Sequence, residues 1–170
     1  MNTRLDRAVQ INVTGPLMLL RLAESCPGFQ CFCQVSTCYA LMDKKDPLIE
    51  EKLMSSAFDW SALYAQVQRM TLLDIEHYAK NMMATFPNSY VFTKRMAEHL
   101  LVENNAKGLP LYIVRPSIIG AALTEPFPGW TDSIGLAGGL YLLAGLGLLR
   151  ELPGDPRNIG DIVPVDLVSN

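Results

Sequence analysis

The order of helix-like and strand-like segments is the feature of this sequence that most constrains its fold. Apolar residues recur every three or four positions over 5–23 and again over 60–83, which is the period of an amphipathic helix. Short apolar runs at 29–35, 111–114 and 159–165 instead have the length and composition of buried strands. Helical segments that alternate with buried strands predict an α/β fold, layered around a doubly wound parallel sheet.

The length and charge of the chain limit its organisation and its partners. With 170 residues it is long enough for one domain with a sizeable core, so residues 1–170 are predicted to form a single domain. The formal net charge is −3, and acidic and basic residues are interspersed without a basic block. A nucleic-acid partner is therefore not expected, whereas a local site for an anionic ligand is compatible with this pattern.

Four cysteines lie at positions 26, 31, 33 and 38. They are too close together for a spread disulfide framework, and they lack the paired spacing and clustered histidines of a zinc site, so no metal site is expected. We interpret them as reduced thiols. Cys31 and Cys33 alternate along the first predicted strand, and we expect both to be buried as small apolar residues on one face.

One long apolar run covers residues 134–149, and it contains five glycines between Asp132 and Arg150. Sixteen residues are fewer than the roughly 18 to 20 that a membrane-spanning helix needs, so the run favours a helix that is buried or that touches a membrane. Residues 41–56 are charged and irregular, which is typical of a surface excursion. No targeting signal is visible in the sequence.

Tyr90 and Lys94 are the first candidates for chemistry. The residues Pro87, Asn88 and Ser89 are helix-start signals, and a spacing of four places the two side chains on one helical face. An adjacent ammonium lowers the pKa of a phenol, which otherwise lies near about 10, and so favours proton transfer. An ordinary amphipathic pair with a solvated lysine is the alternative.

The predicted parallel sheet brings other polar residues toward this pair. Ser36 and Thr37 follow the first strand, and Arg115 follows the second, so they lie at carboxyl ends of strands, where open parallel sheets bind ligands. A strand-end hydroxyl and the phenol of Tyr90 could both donate hydrogen bonds to one carbonyl oxygen. That arrangement is typical of carbonyl reduction.

Six stretches of the sequence carry a family resemblance and together extend over nearly the whole chain. They are Asn12-Val13-Thr14-Gly15, Val35-Ser36-Thr37-Cys38-Tyr39, Pro87-Asn88-Ser89-Tyr90-Val91-Phe92-Thr93-Lys94 with Ala97-Glu98, Ile113-Val114-Arg115-Pro116-Ser117-Ile118, Glu125-Pro126-Phe127-Pro128-Gly129-Trp130, and Ile162-Val163-Pro164-Val165-Asp166. In these stretches the chain resembles the extended short-chain dehydrogenase/reductases and, within them, the fatty acyl-CoA reductases of the male-sterility type. The Pro-Phe-Pro-Gly-Trp segment is the narrowest of the matches.

The resemblance implies NADPH as hydride donor and a long-chain acyl-CoA as substrate, which is reduced to an aldehyde or a primary alcohol. It implies that Tyr90 protonates the substrate oxygen and that a strand-end hydroxyl, Thr37 in preference to Ser36, holds the same oxygen. Lys94 would bind the nicotinamide ribose and depress the pKa of Tyr90, while Asn12 would support Lys94 through a water. The nicotinamide end of the site would be lined by Val35, Arg115, Pro116, Ser117 and Ile118.

The chain also departs from the family pattern. It has no Gly-rich turn after an apolar strand to hold a pyrophosphate, and its first helix resembles the family's fourth helix. The resemblance thus implies a fragment, namely an incomplete Rossmann-like domain that lacks the first βαβ units and includes the start of a substrate region. Pro16 replaces a threonine of the family pattern, and we expect it to kink the first helix.

Two alternatives remain open from the sequence. The chain could be a truncated, non-catalytic interaction module, or it could belong to another extended dehydrogenase such as a sugar-nucleotide epimerase. For the full gene product, the resemblance implies a peroxisomal or endoplasmic-reticulum membrane facing the cytosol, with peripheral membrane association. The sequence leaves the oligomeric state open.

Overall fold

The computed structural model describes residues 3–41, 50–83, 85–135 and 137–170. The chain forms two compact units, Met1–Arg115 and Pro116–Asn170. Helices combine with parallel strands in both units, which confirms the predicted α/β class and is consistent with part of a Rossmann-like domain. The single domain over 1–170 stays a prediction.

The first unit begins with a helical run that contains one irregular turn. Helix α1 (Leu5–Val9) continues through a π-helical turn, Gln10–Thr14, into helix α2 (Gly15–Ser25). Pro16 lies in the first turn of α2, where its missing N–H matters least. The irregularity expected from Pro16 therefore takes the form of a π turn immediately before it.

The predicted helix over 60–83 is divided in two. Helix α3 (Trp60–Arg69) begins after Asp59, whose carboxylate accepts the N–H of Ala62 at 2.8 Å. Helix α4 (Leu72–Met82) begins after Thr71, which forms a reciprocal capping box with Asp74. The continuous helix was therefore a wrong prediction, because the periodicity runs across a strong N-terminal cap inside the segment.

Helix α5 (Ser89–Asn104) lies at the centre of the first unit and carries Tyr90 and Lys94. Asn88 caps it by accepting the N–H of Val91 at 2.9 Å, as the helix-start signals predicted. Most of its side chains are buried, and Phe92, Met96 and Leu101 are fully enclosed. A core packed on all sides fixes the direction of the two candidate side chains.

Strands β1 (Phe32–Val35) and β2 (Leu111–Val114) pair in parallel, with Val35 opposite Val114. Strand β2 has the predicted bounds, whereas β1 begins three residues later than predicted. One face of this two-stranded sheet is exposed and carries Cys33, Val35, Tyr112 and Val114. The predicted burial of Cys31 and Cys33 is wrong, because both thiols are exposed and no described segment covers that face.

In the second unit, β3 (Ile118–Gly120) and β4 (Ile162–Pro164) form a separate parallel pair. The predicted strand at 159–165 is thus shorter, and β3 was missed because its apolar run is only three residues long. A Cβ on Gly120 would lie 2.7 Å from Cγ2 of Ile162, so glycine permits the close approach of the two strands. Helix α7 (Val165–Ser169) follows β4 directly.

The apolar run 134–149 forms the nine-residue helix α6 (Ala137–Gly145). Several of its large side chains are exposed, among them Leu140, Tyr141 and Leu142. Of the two predicted possibilities, a buried helix and a helix that touches a membrane, the buried helix therefore does not agree with this structure. Within the described part of the chain, no helix has the length and apolar character required to cross a membrane. Half of the predicted surface excursion at 41–56, residues 42–49, lies outside the described residues, and its final part, from residue 50, has no regular secondary structure.

Candidate active site

Tyr90 and Thr37 are brought together at the carboxyl end of β1. Thr37 is buried just beyond that strand, and its side chain is near enough to the half-buried phenol of Tyr90 to affect the pKa of that phenol. The two residues are 53 positions apart in the sequence, yet the packing of α5 against the turn Cys38–Leu41, which follows β1, brings their side chains close together. A substrate oxygen placed there would face two hydroxyl donors.

Lys94 reaches the same strand end. Its ammonium donates a hydrogen bond to the carbonyl oxygen of Val35 at 2.9 Å and lies 5.7 Å from the centre of the Tyr90 ring. An ammonium has three N–H donors, and this contact uses one of them. Among the described residues the ammonium makes no other hydrogen bond, so two donors remain for the hydroxyl groups of a ligand.

Burial controls the acidity of the Tyr90 and Lys94 pair. It raises the pKa of Tyr90 above its ordinary value, although the hydrogen bond with Thr37 opposes the change. Burial also lowers the pKa of Lys94, and the negative charge of Glu98 opposes that change. The predicted depression of the Tyr90 pKa by Lys94 is wrong for this structure, because desolvation of the phenolate dominates.

Asn12 contacts the back of α5. It lies in the π turn, and its side-chain amide donates to Oγ1 of Thr93 at 3.0 Å. Thr93 is fully buried and donates in turn to the carbonyl oxygens of Ser89 and Tyr90, at 2.7 and 3.1 Å. Asn12 is thus connected to the first turn of α5 through Thr93, whereas the predicted water-mediated support of Lys94 stays a prediction.

Ser36 and Thr37 differ in their surroundings. Ser36 is buried, and among the described residues its hydroxyl has no hydrogen-bond partner. Thr37 accepts the backbone N–H of Tyr39 at 3.4 Å, and its side chain lies near the phenol of Tyr90. The preference for Thr37 over Ser36 stays a prediction, and the Ser36 hydroxyl, which has no partner among the described residues, leaves one further donor beside Thr37.

Arg115 forms a buried ion pair with Glu98 of α5. Its Nε and Nη2 donate to the two carboxylate oxygens at 2.9 and 2.8 Å, and the Glu98 side chain is only 1% exposed. The hydrogen bond with Glu98 raises the pKa of Arg115. Sequence reasoning noted Glu98 only as part of a motif and missed this pair. The two partners lie 17 positions apart, with Glu98 on α5 and Arg115 just after β2, so no local spacing indicated the pair.

Comparison with known proteins decides the family. A family model described as "Male sterility protein" matches residues 1–170. The chain belongs to this family. Fatty acyl-CoA reductase 1 of Homo sapiens is 36% identical over 169 residues, or 99% of this chain, and so is that of Gallus gallus. Fatty acyl-CoA reductase 2 of Homo sapiens is 32% identical over 166 residues, or 98% of this chain.

The chain spans about a third of the length of these curated relatives, 32% in each case. Members of the male sterility family carry an NAD-binding domain, which indicates a nicotinamide cofactor. The residues at the end of β1 fit that group. The ammonium of Lys94 has donors to spare, and Ser36 contributes a buried hydroxyl that is otherwise unpaired.

Two pockets of the first unit flank the candidate residues. One of about 240 Å³ lies beside Tyr90 and is also lined by Ile11 and Asn12. Another of about 680 Å³ has Cys38 and Arg115 in its wall, and Tyr90 and Lys94 are not part of it. Pro116, Ser117 and Ile118 begin the second compact unit, so their predicted place at the nicotinamide end stays a prediction.

Proposed function

We propose that the gene product is an NADPH-dependent fatty acyl-CoA reductase and that this chain supplies the residues that protonate the substrate. The ammonium of Lys94, which lies 5.7 Å from the Tyr90 ring and is bonded to Val35 at the end of β1, is the observation that carries the proposal. The identity of 36% to a fatty acyl-CoA reductase over 99% of the chain supports a long-chain acyl thioester as substrate. The similarity of the chain to both named reductases also favours this function over that of a sugar-nucleotide epimerase.

When bound, NADPH would supply the hydride that adds to the carbonyl carbon of the thioester. Lys94 would hold the ribose hydroxyls with its two remaining donors, and the hydroxyl of Ser36 would lie nearby. The sequence contains no Gly-rich turn of the kind that holds a pyrophosphate.

The residues of this chain carry out the proton transfer. Because burial raises the pKa of Tyr90, its phenol is neutral near pH 7 and can give a proton to the carbonyl oxygen as negative charge develops there. The Thr37 hydroxyl donates to the same oxygen. When the carbon–sulfur bond breaks, the oxygen returns this proton to Tyr90, and the coenzyme A thiolate takes a proton from solvent. A second addition of hydride and proton converts the aldehyde into a primary alcohol.

The test uses the full-length gene product with palmitoyl-CoA. We expect oxidation of NADPH in preference to NADH, with fatty aldehyde or alcohol detected by mass spectrometry. The Tyr90→Phe variant should lose turnover by a factor of about 10² to 10⁴, the usual contribution of a positioned acid, while its NADPH affinity is retained. Tyr112→Phe is the matched control, because Tyr112 is exposed on β2.

Three results would count against the proposal. Retained turnover in Tyr90→Phe would remove Tyr90 from the mechanism. A preference for NADH would overturn the assignment of NADPH. If the full-length wild type showed no oxidation that depends on palmitoyl-CoA, the non-catalytic interaction module would become the better account.

We also propose peripheral association with a peroxisomal or endoplasmic-reticulum membrane. The exposed apolar side chains of α6, including Leu140 and Leu142, support contact with lipid. Sedimentation with phosphatidylcholine vesicles tests this contact, and replacing both leucines by serine should abolish it. Fluorescence microscopy of the tagged gene product tests the organelle, and a diffuse cytosolic signal would contradict the assignment.

A further inference from the structure

Tyr90 occupies the second position of α5, where a helix is least constrained by its own hydrogen bonds. The first four N–H groups of a helix have no acceptor inside it, and helix ends fray. The cap of Asn88 on the N–H of Val91 satisfies one of them at 2.9 Å. The hydroxyl of Ser89 donates to the carbonyl oxygen of Thr3 at 2.7 Å. The direction of the Tyr90 side chain therefore depends on contacts of this first turn with other groups.

Thr93 contacts the first turn from inside the helix. Its side chain is fully buried, and its hydroxyl lies 2.7 and 3.1 Å from the carbonyl oxygens of Ser89 and Tyr90. A threonine hydroxyl that bonds back to the preceding turn competes with the backbone hydrogen bonds and bends the helix at that point. The Thr93 hydroxyl therefore influences the tilt of the Tyr90 carbonyl and, with it, the direction of the phenol.

Asn12 holds the same hydroxyl from outside the helix. Its Nδ2 donates to Oγ1 of Thr93 at 3.0 Å, across 81 positions of the sequence. A hydroxyl has one proton and two acceptor lone pairs, so Thr93 can accept this bond and still donate to a carbonyl. Asn12 lies in the π turn Gln10–Thr14, and single π turns within helices are often found at functional sites. Hydrogen bonds thus connect the π turn with the backbone of Tyr90.

Lys94 is held by a different contact. Its ammonium donates to the carbonyl oxygen of Val35 at 2.9 Å. Within the described part of the chain, no hydrogen bond joins this ammonium to Asn12 or Thr93. Loss of the bond between Asn12 and Thr93 should therefore displace the phenol of Tyr90 more than the ammonium of Lys94.

We propose that Thr93 is a positioning residue for Tyr90 and that Asn12 acts on the phenol through Thr93. The inference rests on the proposed function, in which Tyr90 gives a proton to the substrate oxygen, and it adds the residues that aim this donor. Proton transfer requires the donor within hydrogen-bond distance of the acceptor. A misplacement of about 1 Å can lower the rate about 10²-fold, so a small change in the first turn of α5 should reduce kcat.

The experiment measures kcat and KM of the full-length gene product with palmitoyl-CoA and NADPH, per mole of folded protein as determined by circular dichroism. Thr93→Val keeps the shape of the side chain and removes its hydroxyl. We expect kcat to fall by about 10- to 100-fold while the KM for NADPH is retained, because Lys94 keeps its contact with Val35. Thr93→Ser restores the hydroxyl and should recover most of the lost kcat.

Asn105→Ala is the matched control for lost stability. Asn105 lies at the opposite end of α5, where its side-chain amide donates to the carbonyl oxygen of Leu109 at 2.8 Å and accepts the Leu109 N–H at 2.9 Å. Its replacement removes two hydrogen bonds without touching the first turn. The variant should be less stable than wild type and should retain the wild-type kcat per folded molecule.

A double-mutant cycle tests whether Asn12 acts through Thr93. Residues that act as a unit are not additive, so Asn12→Ala combined with Thr93→Val should have a kcat close to that of the slower single variant. If Asn12 instead acts on Lys94, the two losses should multiply, and this result would overturn the inference.

Three other results would also contradict it. They are a wild-type kcat in Thr93→Val, a Thr93→Ser variant as slow as Thr93→Val, and an equal loss of kcat in Asn105→Ala. A wild type that does not oxidise NADPH with palmitoyl-CoA would overturn the proposed function and the inference together. An active wild type whose kcat is insensitive to Thr93→Val would overturn the inference alone, so the two failures are distinguishable.

Discussion

Arg115→Met removes the cationic partner of a buried carboxylate. Glu98 is 1% exposed and receives two charge-assisted hydrogen bonds from Arg115, whose own side chain is 14% exposed. Loss of one partner from a buried ion pair typically costs about 3 to 5 kcal/mol, because the remaining charge keeps its desolvation penalty. The guanidinium is not fully enclosed, so we expect the lower value, about 3 kcal/mol.

Urea unfolding of the 170-residue chain, followed by circular dichroism, measures this cost. With a slope of about 2 kcal/mol per molar urea, a loss of 3 kcal/mol lowers the midpoint by about 1.5 M. The double variant Glu98→Met with Arg115→Met removes both charges, and we expect it to recover most of the lost stability. Arg157→Met is the matched control. Arg157 is 88% exposed, so breaking its pair with Asp155 should leave the urea midpoint almost unchanged.

The same variants separate a structural role of Arg115 from its predicted role at the nicotinamide. If Arg115 acts through Glu98, the double variant of the full-length gene product should bind NADPH nearly as well as wild type. A stable double variant with tenfold weaker NADPH binding would instead assign Arg115 to the cofactor. A cost for Arg115→Met no larger than that for Arg157→Met would refute the reasoning from burial.

Three further predictions concern the candidate site. Burial raises the pKa of Tyr90 above its value in the unfolded chain. The stabilisation of the fold by the neutral phenol is therefore complete below about pH 10 and is lost as the pH rises toward the pKa of the folded state. Wild type should therefore lose more stability than Tyr90→Phe between pH 9 and 11, and parallel urea midpoints would contradict this sign. Thr93→Val leaves the Asn12 amide without its acceptor and should cost about 1 to 2 kcal/mol in urea unfolding, whereas Thr131→Val, at an exposed site, should have little effect. The 170-residue chain alone should not oxidise NADPH with palmitoyl-CoA, because its sequence has no Gly-rich phosphate-binding turn; steady oxidation in a spectrophotometric assay would show that this turn is dispensable.

Local sequence signals located α5 and β2 correctly. The cap at Asn88 and the four-residue spacing of Tyr90 and Lys94 depend only on neighbours in the chain, so both could be predicted without a structure. The apolar run at 111–114 likewise predicted the bounds of β2. Periodicity was less informative at Thr71, because an apolar repeat does not reveal a helix that ends and restarts in register.

The exposure of the cysteines illustrates a different limit. The alternation of Cys31 and Cys33 indicated a shared face, but it did not reveal what packs on that face. Coverage of a sheet depends on segments distant in sequence. Strand β3 was missed for a similar reason, because a three-residue strand is defined by its partner β4 rather than by its own pattern.

The sequence by itself determined the α/β class, the helix that carries Tyr90 and Lys94, and the family to which the chain belongs. Tertiary structure decided what these residues can do. It brought Thr37 near Tyr90, placed the ammonium of Lys94 on the carbonyl of Val35 and paired Arg115 with Glu98. It also reversed the expected shift in the Tyr90 pKa, because the charge of a nearby lysine can be inferred from spacing, whereas the loss of water around a phenol depends on everything packed against it.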